Sequence, residues 1–150
     1  MSKKNKIIYN YKIDGIDHSG IKIPDFPIIH LLLEKSNGKK ISGPAIIDTG
    51  FDGSLFANET LTFFLSDIPK EDEKIIGGFG ANEFTCEIFK IQAYLTDSNQ
   101  KIVNTIGQIS VLVPINLNYL SEYVIIGREL LNTINVCLNG DKTTLIIDEL

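Results

Sequence analysis

One acidic residue has neighbours that suit hydrolytic chemistry. Asp48 follows a run of apolar residues and precedes Thr49 and Gly50. The apolar run predicts a buried strand, and the glycine permits a tight turn directly after it. Such a turn would present the carboxylate at the end of a rigid element, where it can take up or release a proton. A capped turn without a chemical role would explain the three residues equally well if they stood alone.

The histidines and cysteines are weaker candidates. His18 lies among turn residues and His30 interrupts an apolar strand, and neither has the neighbours of a metal site or a nucleophile. Cys86 and Cys137 lie in apolar stretches, so we expect reduced, buried thiols and a reducing, cytoplasmic compartment. The sequence also lacks the usual phosphate-binding, zinc-protease and serine-hydrolase motifs. We therefore expect neither a metal ion nor a cofactor.

The elements that position Asp48 are predicted to be mainly short strands. Turn pairs such as Asn37-Gly38 separate apolar runs at short intervals, which is typical of an all-β sandwich or barrel. One or two short helices are expected, the first over residues 58–65 with Asn58 as N-cap and the second over residues 128–133. Strands are predicted at residues 7–13, 26–33, 41–47, 54–57, 84–95, 101–113, 124–127, 134–138 and 143–147, and a surface loop at 66–74.

Length and composition fit one globular domain over residues 1–150, with residues 1–6 as a flexible tail. The net charge of -5 disfavours nucleic-acid binding, because phosphate contacts require an excess of lysine and arginine. No apolar run approaches the roughly 18 residues that a membrane-spanning helix requires. We therefore expect no nucleic-acid partner and no membrane association.

Three segments in a fixed order resemble the retropepsin-like aspartic proteases, the family of the retroviral proteases and their prokaryotic single-domain relatives. The family pattern is an apolar strand entering Asp-Thr/Ser-Gly, a glycine-rich flap hairpin, and an apolar-apolar-glycine strand entering a short helix. The matching segments here are residues 44–50, 76–80 and 124–131, and the likeness spans roughly residues 26–147. The resemblance implies the acid protease fold, a closed β-barrel that works as a homodimer.

The resemblance also implies an aspartic endopeptidase that needs no metal or cofactor. Two aspartates face one water: one takes its proton, and the other, protonated, polarises the scissile carbonyl. Like charges this close cannot both ionise readily, so the pair shares a proton. The sequence holds no second Asp-Thr/Ser-Gly, since Asp97-Ser98 is followed by Asn99. One such aspartate per chain can form the pair only across a two-fold axis, which requires an isologous homodimer.

The resemblance assigns further roles to the matching positions. Asp48, Thr49 and Gly50 would form the catalytic loop, with Asp48 as acid and base and Thr49 bonding across the dimer axis. Asp52 is expected to contact substrate backbone and to form an ion pair with Arg128, within or between subunits. In the family the termini interleave into an intersubunit sheet, and residues 145–147 are the segment that could do so here. The remaining substrate-binding positions are Phe51, Gly77, Gly78, Phe79, Gly80 and Ile126, of which residues 77–80 would form the flap tip.

Two other functions are left open by the sequence. A non-catalytic peptide-binding or assembly module could keep the fold without turnover, although it has no need of the acid at Asp48. A plain β-barrel interaction domain would contain Asp48-Thr49-Gly50 as an ordinary turn, and it predicts a monomer. Oligomeric state, and the effect of Asp48→Asn on cleavage, distinguish both from a peptidase that acts on peptides or proteins.

Overall fold

Strands are the commonest element in the computed structural model, which describes residues 5–77 and 82–148. Residues 1–4 of the expected tail lie outside the described residues. The strands are β1 Ile7–Asn10, β2 Ile28–Glu34, β3 Lys40–Ile47, β4 Leu55–Phe56, β5 Asp72–Gly77, β6 Glu83–Thr96, β7 Ile102–Pro114, β8 Ile125–Ile126, β9 Asn135–Asn139 and β10 Thr144–Asp148. The helices are α1 Glu59–Leu65, a 3₁₀ helix Leu117–Tyr119 and α2 Arg128–Leu131.

Seven strands form one sheet in the order β2-β3-β8-β4-β7-β6-β5. β2 also pairs with β6, so six of these strands form a circuit of hydrogen-bonded neighbours. β5 lies outside the circuit as the antiparallel hairpin partner of β6, and their pairing extends to Gly77 opposite Glu83. The long β6–β7 hairpin pairs as far as Cys86 opposite Pro114, close to the predicted end, and the Ile115 N–H adds one more hydrogen bond to the Thr85 carbonyl at 3.0 Å.

The remaining strands form a separate three-stranded sheet in which β10 is central, between β1 and β9. Residues 145–147 are therefore paired on both sides within their own chain. Their backbone has no free edge, so the expectation that they join an intersubunit sheet directly is wrong for this conformation. The edges that this sheet offers belong to β1 and β9.

The core fills the space inside the strand circuit and under the small sheet. Along β2 and β6 the buried positions alternate with less buried ones, the period expected of strands with one face inward. Burying each large aliphatic side chain contributes about 1.5–3 kcal/mol. The largest fully buried side chains are Tyr9, Ile29, Leu55, Leu65, Ile91, Leu95, Thr96, Val111, Ile126, Leu130, Leu145 and Ile147.

Tyr9 attaches the small sheet to the larger one. Its hydroxyl donates a hydrogen bond to the Thr96 carbonyl at 2.5 Å, and its ring stacks on His30 with the centroids 5.3 Å apart. Burial raises the pKa of the Tyr9 phenol, which therefore stays neutral and remains a donor at physiological pH. The same burial lowers the pKa of His30, which favours an uncharged ring in this stack.

Helix α1 begins where the sequence predicts. The Asn58 side chain accepts a hydrogen bond from the Leu61 N–H at 2.9 Å, so the predicted N-cap is confirmed. The other end of the helix is held by Lys35, which is 4% exposed. Its ammonium group donates to the Phe64 carbonyl at 2.6 Å and to Asp67 at 2.5 Å. Both contacts fix α1 against the β2–β3 hairpin, beside the strand that carries Asp48.

The first strand and the second helix end before their predicted limits, at Asn10 and Leu131, and two further local predictions differ from the structure. β5 begins at Asp72, inside the segment predicted to be a loop, because its charged residues pair with β6 and remain exposed. Cys137 is exposed on the edge strand β9, whereas Cys86 is buried as expected. Within residues 5–77 and 82–148, no helix has the length and apolar character required to cross a membrane.

Candidate active site

Asp48 lies where β3 leaves the sheet. The end of β3 runs parallel to β8, with Ile46 opposite Ile125 and Ile47 opposite Ile126. The Asp48 N–H extends this ladder by donating to the Ile126 carbonyl at 2.9 Å. The side chain is exposed just beyond the last paired residue. A rigid two-strand ladder therefore sets the position of the carboxylate, as the apolar run before it predicts.

The turn that follows Asp48 is closed by its own polar groups. The Asp48 Oδ1 atom accepts the Gly50 N–H at 2.8 Å, and its carbonyl accepts the Phe51 N–H at 3.2 Å. A Cβ atom on Gly50 would lie 3.1 Å from Asp48 Oδ1 and meet no other atom closely, so the glycine leaves room for the carboxylate. Thr49 is exposed, and its hydroxyl makes no hydrogen bond to the described part of this chain.

The loop over residues 48–54 is fixed by the start of α2. The first N–H groups of a helix have no partner within the helix, and here they donate to carbonyls of the loop. Because the contacts are between backbone atoms, they do not depend on the conformations of the loop's side chains. The three hydrogen bonds run from Gly127 to Ser54 at 3.0 Å, from Arg128 to Phe51 at 2.8 Å and from Glu129 to Gly53 at 3.3 Å.

The Asp48 carboxylate opens onto an apolar cleft of about 490 Å³. Among the described residues that line it, Asp48 has the only ionisable side chain. Aromatic rings pack edge to face along one wall, with Phe56 centred 5.9 Å from Phe51 and 6.3 Å from Phe84. Tyr119 stacks on Phe84 at 4.5 Å and extends this wall outward. The arrangement suits a ligand with large apolar side chains held beside a carboxylate.

Only some of the predicted substrate-binding residues line the cleft. Phe51 and Gly77 line the cleft with Gly50. Ile126 is 0% exposed in the main core, so its predicted contact with substrate is wrong, and its neighbour Ile125 faces the cleft instead. Successive residues of a strand point to opposite faces, which explains the exchange. Gly78, Phe79 and Gly80 lie outside the described residues.

Asp52 and Arg128 line a smaller cavity of about 240 Å³ that adjoins the cleft. The Asp52 carboxylate lies 3.9 Å from the Lys74 ammonium group. Arg128 is in no ion pair among the residues that the structure describes, so the predicted Asp52–Arg128 pair does not form within one subunit. The corresponding pair between subunits stays a prediction.

Sequence reasoning missed four residues that contribute to the cleft wall. All four are apolar, and each comes from a different element or connection near the predicted site. The sequence offered a signal for two of them. Ile76 is adjacent to Gly77 and Ile125 is two positions before Gly127, within the segments that the resemblance already singles out. The four are Phe56, Ile76, Phe84 and Ile125.

The two thiols should differ sharply in reactivity. Burial beneath the cleft raises the pKa of Cys86 to about 11, an effect that the nearby charge of Lys74 only partly opposes. At pH 8 the group is therefore almost entirely protonated, and only the thiolate reacts. We expect a thiol reagent to label exposed Cys137 rapidly and Cys86 only after unfolding. The stoichiometry of labelling, measured by mass spectrometry with and without denaturant, checks this, and rapid labelling of Cys86 in the native protein would contradict it.

No group of three or more potential metal ligands is present within residues 5–77 and 82–148. No protein-family model matches the sequence, and no curated protein matches it. Among solved structures, the chain is similar to the crystal structure of a retropepsin-like aspartic protease from Rickettsia conorii. The TM-score is 0.48 and the sequence identity 14%, over 99% of this chain and 96% of that one. The functional argument therefore rests on the residues around Asp48.

Proposed function

We propose that the chain is an aspartic endopeptidase that acts as a homodimer on peptides or proteins. In this proposal residues 1–150 form one domain whose strand circuit is the closed β-barrel of the acid protease fold. The observation that carries the proposal is the position of Asp48. It is exposed at the edge of an apolar cleft, on a loop that backbone hydrogen bonds hold at both ends. A binding module would have no need of an acid fixed at that point.

The homodimer follows from the chemistry. Activating a water and protonating a carbonyl oxygen require two groups, one that takes a proton and one that gives it. The described cleft lining supplies one ionisable group per chain. A two-fold axis beside Asp48 would bring the same carboxylate from a second chain to the same water. The exposed side chains of Asp48 and Thr49 are compatible with that approach. No metal or cofactor enters the proposed reaction.

The apolar cleft defines how substrate would lie. An extended peptide would place a large apolar side chain against Phe56, Phe84 and Ile125, with its scissile carbonyl beside Asp48. β5 and β6 form a two-stranded arm beside the cleft, and in this proposal the arm serves as the flap over the peptide. Two thiols that form no disulfide fit a reducing, cytoplasmic setting, which is part of the proposal.

The test is cleavage of a diverse peptide pool by purified protein between pH 3 and pH 9, read by mass spectrometry. We expect cleavage next to large apolar residues, fastest in mildly acidic solution, because the paired carboxylates must share one proton and lose it as the pH rises. Specific activity should also fall on dilution, as dimers dissociate.

Three outcomes would overturn the proposal. Activity that rises steadily to pH 9 would exclude a shared proton. A specific activity independent of concentration, together with a monomer in sedimentation, would exclude a site formed between two chains. Tight peptide binding without any cleavage would identify a peptide-binding module instead.

A further inference from the structure

The cavity beside the cleft contains more positive than negative charge. The ionisable residues in its described lining are Asp52, Lys74 and Arg128, one acid and two bases. Asp52 can neutralise only one of the two bases, so one positive charge remains without an acidic partner among the described residues that line the cavity. An unpaired cation next to an apolar cleft is a suitable site for an acidic group.

Lys74 is free to serve that purpose. Its 3.9 Å separation from Asp52 is near the limit for an ion pair, and the two side chains are 45% and 63% exposed. Exposed pairs of this kind contribute little to stability, so the ammonium group can turn to another anion at small cost. Lys70 differs, because it is engaged by Glu73 and lies 4.0 Å from Glu87, a cross-strand pair on the opposite face of the β5–β6 hairpin from Lys74.

The spacing along β5 relates the cavity to the cleft. Lys74 and Ile76 are two residues apart on one strand, so their side chains leave the same face about 7 Å apart. Ile76 lines both the apolar cleft and the charged cavity, whereas Lys74 lines only the cavity. An extended peptide has the same repeat, so its side chains at positions i and i+2 would meet the two sites together.

We infer that Lys74, with Arg128 opposite, forms an acid-selective subsite of this cleft. The substrates would carry Asp or Glu two positions from the large apolar residue that occupies the cleft. The inference rests on the proposed endopeptidase function and adds a substrate class to it. Lys74 acts here on specificity, through the charge of the bound side chain, and takes no part in the proton transfers at Asp48.

The experiment starts from a peptide that the wild-type protein cleaves beside an apolar residue. Three versions carry Glu, Gln or Lys two positions from that residue, on either side, and kcat/KM is measured for each. We expect the Glu version to exceed the Gln version about two- to fivefold on one side of the apolar residue, with Lys the poorest. The preference should weaken in high salt, because screening reduces interactions between exposed charges.

Variants then assign the preference to one residue. Lys74→Glu should reverse the order of the Glu and Lys peptides, and Lys74→Arg should keep it. Lys142→Glu makes the same charge change at the exposed β9–β10 turn, outside the linings of the cleft and the cavity, and should leave the order unchanged. A structural role for Lys74 would lower activity toward all three peptides equally, without changing their ratios.

The outcomes separate this inference from the proposed function. Failure to cleave any peptide would overturn the endopeptidase proposal itself. Cleavage with equal rates for the Glu, Gln and Lys versions on both sides would leave that proposal standing and overturn the acid-selective subsite. A preference that persists in Lys74→Glu would also overturn it, since the selectivity would then arise elsewhere.

Discussion

Asp48→Asn should abolish cleavage while leaving the fold intact. The asparagine Oδ1 atom can still accept the Gly50 N–H, now bonded to Asp48 Oδ1 at 2.8 Å, so the turn keeps its closing contact. The amide cannot take a proton from water, and kcat/KM should therefore fall by at least about a thousandfold. Circular dichroism and the melting temperature should match those of the wild type, because the side chain is exposed and outside the core.

Mixing the variant with wild type tests whether two chains share the site. With equal amounts and free exchange, only about a quarter of the dimers would keep two aspartates. Cleavage should then fall to about half of that given by the same amount of wild type alone. A chain with a complete site of its own would be unaffected by the added variant, and that result would contradict the homodimer.

Asp97→Asn is the matched control for both measurements. Asp97 is the other aspartate considered for an active-site motif, and its Oδ1 atom accepts N–H groups of Asn99 and Lys101 in the β6–β7 turn. Asparagine preserves an acceptor at that position, so this variant should be fully active. Added to wild type, it should increase cleavage in proportion to its amount. Loss of activity in Asp97→Asn would indicate that removing any turn carboxylate harms the protein.

Strands, helix caps and the position of Asp48 could be predicted because local chemistry determines them. The side chain of Asn58 caps α1 through a property that the residue has in any context, its ability to accept a backbone N–H. The predicted boundaries of the long hairpin differ from the structure by one residue at each strand end. The apolar run before Asp48 forms β3 and delivers the carboxylate to the edge of the sheet.

The identity of the cleft residues could not be predicted, because the strands around the site are apolar on both faces. Leu55 and Ile126 belong to the main core, whereas their neighbours Phe56 and Ile125 pack in the smaller cluster beneath the cleft. Alternation between polar and apolar residues normally identifies the inward face of a strand. Strands of two residues with two buried faces carry no such alternation, so the sequence pattern could not correct the position that the resemblance implied, Ile126 in place of Ile125.

The ion pair that Asp52 forms with another element could not be predicted from the sequence either. The partner of Asp52 is Lys74, from a segment predicted to be a loop, and only the formation of β5 brings the two together. The resemblance suggested Arg128, which lines the same cavity but lies beyond ion-pair distance within one chain. The resemblance therefore indicates correctly which residues lie near Asp52. Which base forms the ion pair within one chain depends on β5, which the resemblance does not predict.

The contact between the Asp48 loop and α2 depends on the absence of a side chain at Gly127. Its φ of -102° is accessible to any residue, so its conformation alone does not require glycine. The requirement is space, because a Cβ atom would lie 2.2 Å from the Gly53 carbonyl oxygen and 2.6 Å from that of Phe51. Both atoms belong to the backbone of the loop, and neither can move aside by rotating a side chain.

Gly127→Ala should therefore be the most damaging small substitution at the site. We expect a loss of about 3 kcal/mol or more in the free energy of unfolding, measured by urea titration. Any folded protein should also lose at least about a hundredfold in kcat/KM, because the displaced loop moves Asp48. Gly43→Ala is the matched control: a Cβ atom there meets nothing within 4 Å, and a change within about 0.5 kcal/mol is expected. Equal stability of the two variants would show that the loop does not depend on its close contact with Gly127.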